Sequence, residues 1–345
     1  MPGRFSWGFD RFSGIYLWAT FVVIFGTLAP STFLSVTTVQ VIAAQQSVAV
    51  IISIALLAPL VVGEFDLSVG AMANFSGILA TVLMTNGTGV FTAMALAVLA
   101  GVLVGVVNGY VTVQVGVNSF IATLGMASVL SALTAIVTNS QMPQPYVDPV
   151  WTNLTQTKIF GFQSIVIFPI IIAIFAWWVL AKTPVGRRMY ATGANSDAAR
   201  LSGLRTKRIA WTSLVFSATL ASVGGILFTS LTGPSLTFGA TLLLPAFAAC
   251  FLGSTQLMPG RFNVGGTILA IIVLATGVAG LQLVTGVQWV KNMFDGVALI
   301  LAVALSVTQQ KRKTTQGIRR RRKREASSAD TNMGADEALH ERVSP

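Results

Sequence analysis

The chain has 345 residues, 54% hydrophobic and 10% charged, with a mean hydropathy of +0.76. A soluble globular fold, which carries about 25% charged residues, is excluded. The net charge of +11 does not describe a nucleic-acid binder, because the basic residues gather at 182–208 and after 310 without interleaved aromatics.

Met1 to Asp10 lack the apolar core and small-residue cleavage site of a signal peptide. Residues 1–13 therefore read as a cytoplasmic N-terminus, and the apolar run 14–33 as a retained span. A helix needs about 20 apolar residues to cross about 30 Å of hydrocarbon. Pro, Gly, Asn and charge punctuation places further spans at 39–62, 67–85, 90–111, 118–138, 163–181, 209–231, 241–258, 263–284 and 289–308. The expected fold is an all-α polytopic membrane protein of about ten transmembrane helices, within a range of eight to eleven, occupying 14–308. Spans 67–85 and 241–258 carry Gly, Ser, Asn or Pro and are the two expected to be broken or re-entrant.

Within 12–181 and 209–310 the only charged residues are Glu64, Asp66, Asp148, Lys158, Arg261, Lys291 and Asp295. A carboxylate at mid-membrane costs about 2.5–3.5 kcal/mol unless water or a partner relieves it. Asp66 has two readings: it caps the helix starting at 67, with Ser68 nearby, or it stands at a gate on a solute path. Asn74, Asn108, Asn118 and Gln282, together with Gln114, are polar side chains in or beside spans. Each either lines a route for a hydroxyl-rich solute or glues helices together. Gly101, Gly105 and Gly109 repeat the G-x-x-x-G spacing of close helix contact. The outer loop 139–162, with Pro143, Pro145 and Pro149, reads as a compact segment. Trp151, Trp177 and Trp178 read as residents of the membrane interface.

The loop 182–208 holds Lys182, Arg187, Arg188, Arg200, Arg205, Lys207 and Arg208 against Asp197 alone, the positive-inside signal of a cytoplasmic segment. Counting spans from a cytoplasmic start brings the chain back inside before this loop and again before Lys311, so both termini are expected in the cytoplasm. Inside the loop, Asn195 or Ser196 suits an N-cap, Asp197 suits the first turn, Ala198 to Leu201 propagate, and Gly203 suits a left-handed end. A short rigid helix between Gly193 and Gly203 suits a knob gripped by another protein. The alternative, a helix lying on the bilayer, would want a broader apolar face.

Cys250, the single cysteine, excludes disulfides within the chain and reads as a buried small hydrophobe. His340, the single histidine, lies in the tail, so no H-E-x-x-H zinc site exists and the spans hold no histidine for a Ser-His-Asp arrangement. No metal and no cofactor are expected. Lys291 and Asp295 are spaced for an i,i+4 ion pair. The tail 309–345, with Arg319 to Arg322, Lys323 and Arg324, is expected to be disordered; it either attracts anionic membrane lipid or simply stops transfer. No G-x-x-x-x-G-K-[ST] occurs, so ATP hydrolysis by this chain is not expected.

Gly186-Arg187, Tyr190-Ala-Thr-Gly-Ala-Asn195 and Asp197-Ala-Ala-Arg-Leu-Ser-Gly203 together resemble the cytoplasmic loop of ribose-type ABC sugar permeases. Asp66-Leu-Ser-Val-Gly70, Asn108-Gly109 and Asn118-Ser-Phe-Ile-Ala-Thr-Leu-Gly-Met126 resemble the same family in the same order, over about residues 40–306. The chain departs from it at Gly63-Glu64-Phe65, where Gly-Gly-Ile is common, and at Leu252 to Arg261, where a Gly-rich segment is common. The resemblance implies a permease subunit in the cell membrane that moves a small sugar. Its ATPase-coupling segment would be Asn195, Ser196, Asp197, Ala198, Ala199, Arg200, Leu201, Ser202 and Gly203. It also implies an ABC ATPase partner, an extracytoplasmic sugar-binding protein in bacterial members, and a permease homodimer. The alternatives are an importer of a nucleoside or another small polar solute, and an ion-coupled secondary transporter.

Overall fold

The structure is a computed structural model and describes residues 9–308. The tail 309–345 and the first eight residues of the N-terminal segment lie outside the described residues.

The chain is helical almost throughout: α1 (Phe9–Leu28), α2 (Pro30–Phe33), α3 (Val36–Val62), α4 (Val69–Thr85), α5 (Val90–Gly109), α6 (Ser119–Thr138) and α7 (Pro149–Gln156) come first. A two-residue hairpin, β1 (Lys158–Ile159) with β2 (Phe162–Gln163), leads into α8 (Ile167–Lys182). Then follow α9 (Pro184–Ala194), α10 (Ser196–Leu201), α11 (Thr206–Thr232), α12 (Phe238–Ser254) and α13 (Val264–Thr285). The last helix is α14 (Trp289–Thr308).

Among the described residues, seven helices are long and apolar enough to cross a membrane: α3, α5 with its π-helical extension to Val115, α6, α8 with its preceding turn, α11, α13 and α14. Three shorter apolar helices complete the set, Phe12–Leu28, Val69–Thr85 and Phe238–Ser254. The backbone reasons are ordinary. Long apolar runs satisfy their amides internally, and caps end them: Ser35 accepts from the Thr38 amide at 3.1 Å and Asn263 from the Gly266 amide at 2.7 Å. The first helix begins at Phe9 rather than at 14 and stops at Leu28, because Pro30 opens a separate turn.

The bundle is organised around α3 and α11, whose apolar stretches are each 67% buried, against 17% for α6 and 22% for α14. The peripheral helices turn large apolar side chains outward, such as Ile121, Ile136, Ile174 and Ile300. In water this would be an error; in hydrocarbon it is the matching surface.

Lipid supplies no hydrophobic drive between helices, so close backbone approach must hold the centre together. Gly101, Gly105 and Gly109 of α5 lie flush on α11: a Cβ at Gly105 would stand 2.6 Å from the Val215 Cα, and one at Gly109 would strike Trp211. Gly77 of α4 meets the Gly225 carbonyl of α11 in the same way. The expected packing role of the α5 glycines is what the structure shows.

One reading is corrected. Trp151 is not an interfacial residue but a buried one, 2% exposed, because α7 folds back onto the end of α11, where the Ser230 hydroxyl donates to the Trp151 carbonyl at 2.7 Å. Trp177 and Trp178 do face outward, with Lys182 Nζ 5.6 Å from the centre of the Trp177 ring. Cys250 is fully buried, and Lys291 Nζ meets Asp295 Oδ2 at 2.8 Å, both as expected.

Candidate functional site

Two features stand out: a helix pair at one end of the bundle, and a buried polar break that leads to it.

The segment 182–208 contains two helices where one is expected from sequence. Thr183 caps α9 through the Gly186 amide, and Pro184 sits at its first position, where no amide is lost. Gly193, which flanks α10 in the sequence, belongs to the preceding helix. It lies within α9, pressed against α3, where a Cβ would strike the Val61 carbonyl oxygen. Tyr190 fastens α9 a second time: its hydroxyl donates to the Phe262 carbonyl at 2.6 Å, and the Arg261 guanidinium lies 4.0 Å from its ring centre. Burial raises the Tyr190 pKa above the usual phenol range, with the Arg261 charge opposing, so the phenol stays protonated and donating at neutral pH.

Asn195 ends α9 and begins α10, its Oδ1 accepting from the Ala198 amide at 2.9 Å. Ser196, Asp197, Ala198, Ala199, Arg200 and Leu201 form the helix as expected. Ser202 and Gly203 close it: the Ser202 hydroxyl donates to the Ala199 carbonyl at 2.7 Å, and the Leu204 amide to the same carbonyl at 3.1 Å. Gly203 has a φ of +87°, a conformation side chains resist. Ala199 packs inward, whereas Leu201 is 86% exposed. The Arg200–Asp197 pair, 3.5 Å apart and exposed, adds little stability. The helix is thus held by its caps and by α9, and presents its outer face free.

Between α3 and α4 the chain leaves the helical conformation over 63–68, with Asp66 and Ser68 buried. Gly63 ends α3 at a φ of +90°, and the next amides find partners on α6: Phe65 N–H donates to Ser119 Oγ at 3.1 Å and Leu67 N–H to Thr123 Oγ1 at 2.9 Å. Non-helical backbone at this depth needs such donors and acceptors from neighbouring helices. Asp66 is fully buried. Its Oδ1 accepts from the Ser68 amide at 3.0 Å and the Ser68 hydroxyl at 2.6 Å, and Asn108 Nδ2 donates to that hydroxyl oxygen at 2.9 Å. Ser217 of α11 stands beside the carboxylate. The capping reading of Asp66 is refined by this geometry: Ser68, not Asp66, is the N-cap residue of α4, and Asp66 serves the amide of the cap itself.

The helices α4 and α12 are two of the three shorter apolar helices, and their first turns touch: a Cβ at Gly70 would strike the Gly239 carbonyl. Asn74 Nδ2 donates to the Leu236 carbonyl just ahead of α12 at 2.9 Å, leaving Asn74 Oδ1 without a partner among the described residues. The structure therefore joins Asp66, Ser68 and Asn108 in one chain of hydrogen bonds, with Asn74 a turn further along α4. Asn118 and Gln282 do not join it. Asn118 is exposed and caps α6 through the Phe120 amide, and Gln282 is half-buried near the end of α13.

The sequence assigned no individual contact to Ser119, Thr123, Tyr190, Arg261 or Asn263. Ser119 and Thr123 are hydroxyls at i,i+4 spacing, but Ser128, Ser131, Thr134 and Thr138 share α6 with them, so spacing alone does not single the pair out. Asn263 Nδ2 donates to the carbonyls of Gly253, Gln256 and Arg261, fixing the turn that receives Tyr190; a lone Asn in a loop gives no warning of it.

Comparison with known proteins decides the family. The model of the branched-chain amino acid transport system / permease component matches residues 38–304. The ribose import permease protein RbsC of Escherichia coli (strain K12) is 30% identical over 300 residues, covering 84% of this chain and 91% of that protein. The chain belongs to the ribose-type ABC permease family.

This permease is also similar to the D-allose transport system permease protein AlsC of Escherichia coli (strain K12), at 28% identity over 306 residues, 88% of this chain and 94% of that protein. The L-arabinose ABC transporter permease protein AraH of Azospirillum brasilense is 28% identical over 317 residues, 86% of this chain and 88% of that protein. No solved structure matches. The polar break, the Asn108–Gly109 pair and the α9–α10 pair all fall inside the matched region.

Proposed function

We propose that this permease carries a small sugar inward across the cell membrane, powered by a separate ABC ATPase that docks on α10. The observation that carries the reading is the α9–α10 pair: a capped helix with an exposed outer face, fastened through Gly193 and Tyr190 to the body of the bundle. A push on α10 therefore reaches α3 through α9, and the turn between α12 and α13 through Tyr190.

In this reading all ten apolar helices span, both termini are cytoplasmic, and α10 lies on the cytoplasmic side with the basic loop. Asp66, Ser68, Asn74 and Asn108 border the route where α4 and α12 meet, and short helices starting within a bundle are a recurrent way to build such sites. A second copy of the chain completes the route, and an extracytoplasmic binding protein delivers the sugar. The permease needs no chemistry of its own, only two conformations of different sugar affinity. The relatives that transport ribose, allose and arabinose support a monosaccharide cargo.

The test is uptake into proteoliposomes holding the permease with its ATPase and binding protein. ATP-dependent accumulation of D-ribose, D-allose or L-arabinose, absent without ATPase, is expected. Accumulation of nucleosides alone, or sugar uptake by the permease without ATP, would overturn the assignment.

A further inference from the structure

We propose that a cleft beside α10 binds one anionic phospholipid, with its phosphate on Arg188, Arg205 and Arg208 and an acyl chain in the apolar interior. The cleft, about 640 Å³, lies between α3, α8, α9 and α11. Leu57, Val179, Leu180, Ile209 and Phe216 are among the side chains that line it, and no acidic residue among the described residues does.

The three arginines also line it and are themselves exposed, which places their guanidiniums at the rim. None of the three is in an ion pair among the described residues. Arg205 and Arg208 further crowd the amino end of α11, where the helix dipole opposes cations and where no acidic residue offsets them. The rim therefore has uncompensated positive charge, and each guanidinium offers a planar fork of donors suited to phosphate oxygens. Free phosphate would satisfy the rim and leave the walls bare; a neutral lipid would fill the walls and leave the rim unpaired. A lipid with an anionic headgroup satisfies both, and basic pockets between helices at a membrane surface are a known form of such sites. The proposal rests on the membrane placement given above and not on the identity of the cargo, which does not enter its test.

Native mass spectrometry of the full chain, with dioleoyl phosphatidylglycerol, dioleoyl phosphatidylcholine or inorganic phosphate added in turn, reads the site. One phosphatidylglycerol should stay bound under conditions that strip phosphatidylcholine, and millimolar phosphate should not displace it. The combined Arg188→Gln, Arg205→Gln, Arg208→Gln variant should bind it at least about tenfold more weakly. Val179→Trp, which fills the cleft and keeps every arginine, should lose it as well. Both variants retain Arg319 to Arg322, so lipid held by the tail would survive in both. Survival in either variant, equal retention of phosphatidylcholine, or displacement by phosphate alone would overturn the proposal.

Discussion

A carboxylate buried among helices is tolerable only where neighbours donate to it, and Asp66 receives both the amide and the hydroxyl of Ser68. The contacts point to a positional role: Asp66 holds the turn from which α4 starts, and Asn108 holds Ser68 in turn. Asp66→Asn keeps the accepting oxygen and should leave melting temperature and assembly close to wild type. Asp66→Ala leaves two buried donors without an acceptor and should cost about 1–3 kcal/mol, seen as a lower melting temperature in detergent. Equal stability of the two variants would contradict a positional role. Sequence alone marked Asp66, Ser68, Asn74 and Asn108 as polar residues in apolar surroundings; Asp66, Ser68 and Asn108 share hydrogen bonds, whereas Asn74 bonds to the Leu236 carbonyl. It marked Asn118 and Gln282 on the same grounds, because polarity is visible in a sequence while neighbourhood is not. Asn118 proved to be a helix cap, a role its position ahead of an apolar run also allowed.

At the scale of elements, long apolar runs made the helices legible, and α4, α6 and α13 begin and end within two residues of expectation. The helix α9 was not legible. Gly186 and Gly193 suggest a loop, yet their lack of a side chain is what lets α9 press against Leu180 and Val61. Small residues in this fold report contact as often as flexibility, and two glycines separate the cases. Gly105→Ala puts a methyl 2.6 Å from the Val215 backbone and should destabilise by about 1–3 kcal/mol. Gly125→Ala, on α6 with nothing within 4 Å of the added carbon, should be neutral or stabilise by up to about 1 kcal/mol through helix propensity. Thermal unfolding of both variants in the same detergent checks the pair, and a larger loss at Gly125 would contradict the packing described.

For the whole molecule, the bundle is a buried centre of α3 and α11 with an apolar rim, and α9 and α10 lie at one end of it, α9 pressed against α3. The sequence showed this end through its basic residues, but not how α9 is fastened, since Tyr190, Phe262 and Val61 are far apart in the chain. The proposed coupling through α10 requires this end to face the cytoplasm. Leu201→Cys offers a direct reading, because Leu201 is 86% exposed and Cys250, the natural thiol, is fully buried. A membrane-impermeant maleimide should label Leu201→Cys in inverted vesicles but not in right-side-out ones, and the bound ATPase should protect it. Labelling from the outside would contradict the account.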